Sequence, residues 1–142
     1  MADDATRPRL LIADDDRAVL GALTAQLHER FEVVGAAEDA QQAVELARSA
    51  QPDVALIDVQ MPAGGGLHAT RGIREVSPGT AVVILSVDES ESSVMEFLGA
   101  GAISYLRKGT SAAEITTVLR DSISAHQALA SGDASNTTTG ES

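Results

Sequence analysis

Three runs of the chain are continuously apolar: Leu10-Leu11-Ile12, Val54-Ala55-Leu56-Ile57 and Ala81-Val82-Val83-Ile84-Leu85. Runs of this length, bounded by polar or turn-forming residues, fit strands buried on both faces of a parallel sheet. Between them the pattern changes to helical spacing. Leu20, Leu23 and Leu27 recur within residues 18–30, and Ala40, Ala43, Val44 and Ala47 form a second stripe that stops before Pro52. A third helix is expected over about 67–76, and a fourth, rich in serine and closed by Gly99 and Gly101, over about 91–99. A last helix, with Ile115, Val118, Leu119 and Ile123 on one face, is expected to run to about residue 130. Strands are expected at 9–13, 32–37, 54–58, 81–86 and 102–106. Asp16 and Asp39 are placed as N-caps, and Ser111 with Glu114 has the spacing of a capping box.

Five strands alternating with five helices give an α/β fold: a doubly wound, five-stranded parallel sheet of flavodoxin-like order 2-1-3-4-5. Residues 1–8 read as a polar leader, 9–130 as one domain, and 131–142 as a disordered tail or the start of a linker.

Composition narrows the functional classes. A chain of 142 residues suits one domain, and with 44% hydrophobic but 2% aromatic residues its core must be aliphatic, with Phe31, Phe97 and Tyr105 as the few rings. The absence of Cys excludes disulfides and thiolate metal sites and fits a reducing cytoplasm. No apolar run is long enough to span a bilayer, and residues 1–9 lack the apolar core of a signal peptide, so a cytoplasmic protein without membrane contact is expected. A net charge of −11 repels phosphate backbones, which argues against direct nucleic-acid binding.

The candidate chemistry lies at strand ends. Asp14-Asp15-Asp16 follows the first strand and Asp58 ends the third, and in a 2-1-3-4-5 sheet these meet at the switch point where ligands bind. Carboxylates gathered in this way repel one another, and oxygen ligands without thiols point to Mg²⁺ or Mn²⁺. Ser86 ends the fourth strand and Lys108 follows the fifth, so a hydroxyl and an ammonium face the same crevice, able to bind phosphoryl oxygens. Taken singly, each has a structural explanation: Asp58 as a turn cap, the acidic triplet as a solvated helix start, Ser86 bonded to its own backbone, Lys108 as a surface lysine. His28, His68 and His126 are scattered and receive no role.

Taken in order, Leu11-Ile12-Ala13-Asp14-Asp15, Asp58 with Met61-Pro62 and Gly66, Ile84-Leu85-Ser86, Gly101-Ala102 and Tyr105-Leu106-Arg107-Lys108 carry a resemblance. From about residue 9 to 130 the chain resembles a response-regulator receiver domain of bacterial two-component signalling, of the type that usually precedes a LuxR/NarL-like helix-turn-helix output domain. The resemblance implies a signalling phosphoacceptor whose only catalysis is its own phosphotransfer and dephosphorylation. Asp58 would take a phosphoryl group from a sensor histidine kinase or histidine phosphotransfer protein. Asp15, Asp58 and the Gln60 backbone carbonyl would hold Mg²⁺ directly, and Asp14 through water. Lys108 and Ser86 would bind the phosphoryl group, and Ser86 with Tyr105 would form the switch. Gln60 and Asp88 are the positions expected to tune dephosphorylation. A downstream protein or a C-terminal output domain would be the recipient, with transcription regulation the role if the chain is a fragment, and phosphorylation-dependent homodimerisation is consistent with the family. Two departures stand out: Gly109 occupies a position where many members have proline, and Ser86 replaces the commoner threonine.

Two other readings compete. Asp14-x-Asp16 after an apolar strand matches haloacid-dehalogenase-type phosphatases, with Asp14 as nucleophile, although Ala18 departs from that pattern and no cap domain fits in this length. An interaction module with the same fold but no use of phosphate is the other.

Overall fold

A computed structural model describes residues 7–61, 65–87 and 90–140. The elements in chain order are β1 (Arg9–Ala13), α1 (Arg17–Leu27), β2 (Glu32–Ala37), α2 (Ala40–Ala50), β3 (Val54–Asp58), α3 (Gly65–Val76), β4 (Ala81–Ser86), α4 (Glu91–Gly99), β5 (Ser104–Arg107) and α5 (Ala112–Gly140). The strands form one parallel sheet in the order β2-β1-β3-β4-β5, as the sequence predicts. Side-chain alternation explains why the central strands read as unbroken apolar runs. Leu11, Ala55, Ile57, Val82 and Ile84 face α2, α3 and α4, whereas Leu10, Ile12, Leu56, Val83 and Leu85 face α1 and α5.

The caps act locally as the sequence implies. Asp16 Oδ1 accepts from the N–H of Ala18 and Val19, Asp39 Oδ1 from Gln42, Ser90 Oγ from Ser93 and Ser111 Oγ from Glu114. Each places its helix directly after the strand or loop that precedes it.

Several boundaries differ from the sequence reading. α1 stops at Leu27 rather than residue 30, because residues 28–30 fold back as a turn in which Phe31 N–H reaches Leu27 O. α3 begins two residues early, at Gly65. β5 begins at Ser104: Ala102 is buried but spends its N–H on Phe97 O, so its burial reflects packing and not a ladder position. α5 is helical through Gly140, past the point where a disordered tail or linker was expected. Residues 131–139 contain no proline, and extending an existing helix requires no new nucleation, so poor formers such as Asn136 and Thr137 still join it. The leader lies mostly outside the described residues; Arg7 and Pro8 are described, and Pro8 O accepts from Glu32 N–H. Among the described residues no helix is long and apolar enough to cross a membrane.

Candidate functional site

β1, β3 and β5 bring their carboxyl ends to one rim of the sheet, and the charged residues there meet. Asp14 follows β1 and is fully buried; Asp58 ends β3 with 3% exposure; Lys108 follows β5. β4 separates β3 from β5, a gap of two strand spacings or about 10 Å, which only a long side chain crosses. Lys108 crosses it, with Nζ 2.9 Å from Asp58 Oδ1 and 3.3 Å from Asp14 Oδ2. Its backbone is fixed as well, since Lys108 N–H donates to Ser86 O at 2.9 Å.

The Asp14 carboxylate is oriented by its own turn: Oδ1 accepts from Asp16 N–H at 2.9 Å, and Asp14 N–H donates to Ala37 O. Asp16 is legible in the sequence as a helix cap, but its N–H also positions Asp14, for which the two-residue spacing is the available signal. Gly66, one residue of the sequence motif that follows Asp58, has a structural role of its own. Its N–H donates to Val59 O at 2.8 Å, and a Cβ there would come within 2.7 Å of Asp58 O and 2.8 Å of Val59 Cα. The start of α3 therefore rests directly on the main chain of Asp58, an approach that only glycine permits.

Asp14, Asp15 and Asp58 each offer a carboxylate oxygen, and these oxygens lie within 4.8 Å of one another. Asp15 is exposed and the other two are buried. Of the buried oxygens, Asp58 Oδ2 has no hydrogen-bond partner, and Asp14 Oδ2 has none beyond its 3.3 Å ion pair with Lys108. Three carboxylates face a single ammonium, so the cluster retains unneutralised negative charge and acceptor capacity, the donor set of a hard cation. The residues present fit a bound divalent metal.

The same imbalance governs the proton equilibria. Burial raises the Asp58 pKa above 3.8, the negative charges of Asp14 and Asp15 add to the rise, and the Lys108 hydrogen bond only partly offsets it. For Lys108, burial alone would lower the pKa, but its bonds and attraction to Asp58 and Asp14 outweigh that and raise it above 10.5. The two partners differ because only the aspartate has like charges beside it. Lys108 thus stays protonated at neutral pH.

The remaining predicted residues are placed as follows. Ser86 ends β4, buried, and alternation puts it on the face of Ile84. Tyr105 lies opposite Ile84 in the ladder and packs against the same cluster, meeting Phe97 of α4 edge-on with centroids 6.1 Å apart and planes at 62°. Ser86 and Tyr105 therefore share the side of the sheet covered by α4. Gln60 is exposed, two residues beyond Asp58. Asp88 and Pro62 lie outside the described residues. No cis peptide occurs among the described residues, and Gly109 adopts φ +95°. A proline fixed near −65° could not take that conformation, so the loop after Lys108 differs from one built on proline.

Comparison with known proteins agrees with this geometry. Residues 10–120 match the family model of the response regulator receiver domain. The response regulator GacA of Pseudomonas viridiflava is 37% identical over 114 residues, covering 79% of this chain and 53% of that protein. The transcriptional regulatory protein PdtaR of Mycobacterium tuberculosis is 34% identical over 126 residues, 87% of this chain and 60% of that protein. The chain thus spans a little over half the length of these relatives. Among solved structures, the signal receiver domain of the response regulator NarL from Mycobacterium tuberculosis superposes with a TM-score of 0.79 at 28% identity, covering 83% of this chain and 97% of that one. The fold, the rim of carboxylates with its lysine, and the matched residues together make this chain a member of the response regulator receiver domain family.

Proposed function

We propose that Asp58 accepts a phosphoryl group from the phosphohistidine of a sensor histidine kinase or histidine phosphotransfer protein. The single observation that carries this reading is the Lys108 ammonium bridging two buried carboxylates, with Asp58 Oδ2 left without a hydrogen-bond partner. In the transfer a carboxylate oxygen of Asp58 forms the new O–P bond while the N–P bond breaks, its electron pair leaving with the imidazole. Asp14, Asp15, Asp58 and the Gln60 backbone carbonyl are the residues that would hold Mg²⁺, with Mn²⁺ an acceptable substitute. A bound divalent cation supplies charge neutralisation for the phosphoryl oxygens.

Lys108 offsets the negative charge of the phosphorylated site and donates to a phosphoryl oxygen, and Ser86 donates to another. With Ser86 and Tyr105 on one side of the sheet, a Ser86 drawn towards the phosphoryl group alters the packing beneath Tyr105 and Phe97, and so the seating of α4. Gln60 and Asp88 tune the lifetime of the acyl phosphate. The altered α4 face addresses a downstream protein, a C-terminal output domain acting on transcription, or a second copy of the chain, in the cytoplasm. The phosphatase reading and the phosphate-independent module are not favoured, given the receiver family match over residues 10–120.

Intact-protein mass after incubation with acetyl phosphate and Mg²⁺ tests the proposal. The expected result is one added phosphoryl group that disappears in Asp58→Asn and in the presence of chelator. A gain that persists in Asp58→Asn would move the acceptor to another residue, Asp14 first.

A further inference from the structure

At the opposite end of the sheet from the carboxylates, a cavity of about 460 Å³ opens where the end of α4, the loop into β5 and the distal part of α5 converge. This volume lies within the range of small-molecule sites, roughly 300–1,000 Å³. Its lining is mixed: Ile103, Leu98 and Leu129 form an apolar side, the two leucines being 41% and 59% exposed, and Arg74 and His126 form a polar one. Leaving two leucines this open on neighbouring helices has a hydration cost that an occupant would relieve.

Two nitrogen-bearing side chains converge on one point of its rim. Arg74 Nη1 donates to Pro78 O at 3.2 Å, and His126 Nε2 lies 2.9 Å from the same oxygen. The Arg74 stem is laid over Gly101, where a Cβ would come within 2.9 Å of Cγ and Nε, and Gly101 itself has φ +115°. The guanidinium is thereby oriented in advance, which reduces the ordering cost of using it. Among the described residues no carboxylate pairs with Arg74, whose guanidinium donates to the Pro78 carbonyl. In a chain of net charge −11, a held and unneutralised guanidinium beside an apolar wall is complementary to an organic anion.

We infer that this cavity binds a small amphipathic carboxylate, its head on Arg74 and its hydrocarbon tail over Leu98 and Leu129. The site is separate from the phosphoacceptor rim and does not depend on it.

The test uses the full chain, ¹⁵N-labelled, with hexanoate as the probe and hexanol and hexylammonium as controls of matched tail length. Amide shifts at Gly101, Ile103 and Leu129 are expected to saturate with hexanoate and to respond less to either control. Arg74→Gln should weaken hexanoate binding at least about tenfold, the loss expected for a charge-assisted pair. Leu129→Gln, at a position 59% exposed, should weaken it as well. Spectra elsewhere unchanged from the parent protein establish that both variants are folded. Shifts that fail to saturate, an equal response to hexanol, or hexanoate binding undiminished in folded Arg74→Gln would overturn the inference.

Discussion

Asp58 and Lys108 lie 2.9 Å apart, yet the aspartate remains harder to ionise than a free carboxyl group. One ammonium, itself shared with Asp14, does not compensate for burial and two neighbouring carboxylates. The pair is electrostatically incomplete.

A stability test follows directly. Because the folded pKa of Asp58 lies above its unfolded value of about 3.8, the folded state holds the proton more tightly, and this group's contribution to stability falls as pH rises from there through the raised value. In chelator, Asp58→Asn should therefore unfold at higher urea than the parent at pH 7, with a melting temperature a few degrees higher. The gap should close as pH falls below about 4, where the parent carboxyl is protonated too. Adding Mg²⁺ at pH 7 should stabilise the parent and not the variant. A parent more stable than Asp58→Asn in chelator at pH 7 would refute the account.

Lys108→Met removes the ammonium in contact with both buried aspartates. A fully buried pair broken in this way loses about 3–5 kcal/mol, and because the Lys108 side chain is 28% exposed the expected loss is smaller, about 2 kcal/mol. Denaturation in chelator and in Mg²⁺ would check it: the deficit should shrink when the cation is present. Phosphorylation by acetyl phosphate should fall at least about a hundredfold, the scale of losing one oriented charge donor.

Gly66→Ala probes the seat of α3 on β3. The new Cβ must displace the main chain of Asp58 and Val59, and overpacking of this kind costs about 1–3 kcal/mol. Binding of Mn²⁺, followed by electron paramagnetic resonance, should weaken in parallel. Stability lost without any change in metal affinity would mean that α3 yields and the carboxylate stays in place.

Gly109 separates backbone strain from site chemistry. With φ +95° and open space where a Cβ would stand, Gly109→Ala should cost about 1 kcal/mol through conformation alone. Gly109→Pro cannot keep that φ, so the loop after Lys108 must rearrange, and the phosphorylation rate should change more than it does in Gly109→Ala. Equal rates in the two variants would show that the loop does not steer the lysine.

Much of this was legible from residue order because the relevant signals are local. Ile84 and its neighbours are apolar on both faces, Asp16 and Asp39 are caps two or three residues from the N–H groups they serve, and strand order follows from βαβ alternation. Asp14, Asp58 and Lys108 were found together because parallel strands deliver their ends to one rim. What escaped depends on contacts distant in sequence or on competition within a turn. Pro78 O meets His126 across 48 residues, Gly66 presses on Asp58, and Ala102 is buried without joining the ladder. The length of α5 escaped for another reason: composition reports how well residues start a helix, and residues 131–140 only had to continue one.

The two-sided burial of the sheet also sets where this chain tolerates changes of length. One residue added within β3 would exchange the sets facing α2–α4 and α1–α5, turning Leu56 and Ile57 to the wrong sides and rotating Asp58 away from Lys108 in the same step. A residue added in the exposed turn 28–30, ahead of β2, leaves both faces of β3 and the charged rim in place. Relatives of this chain should therefore gain and lose residues in the loops ahead of the strands, while the interval from each strand to the charged residue at its end stays fixed.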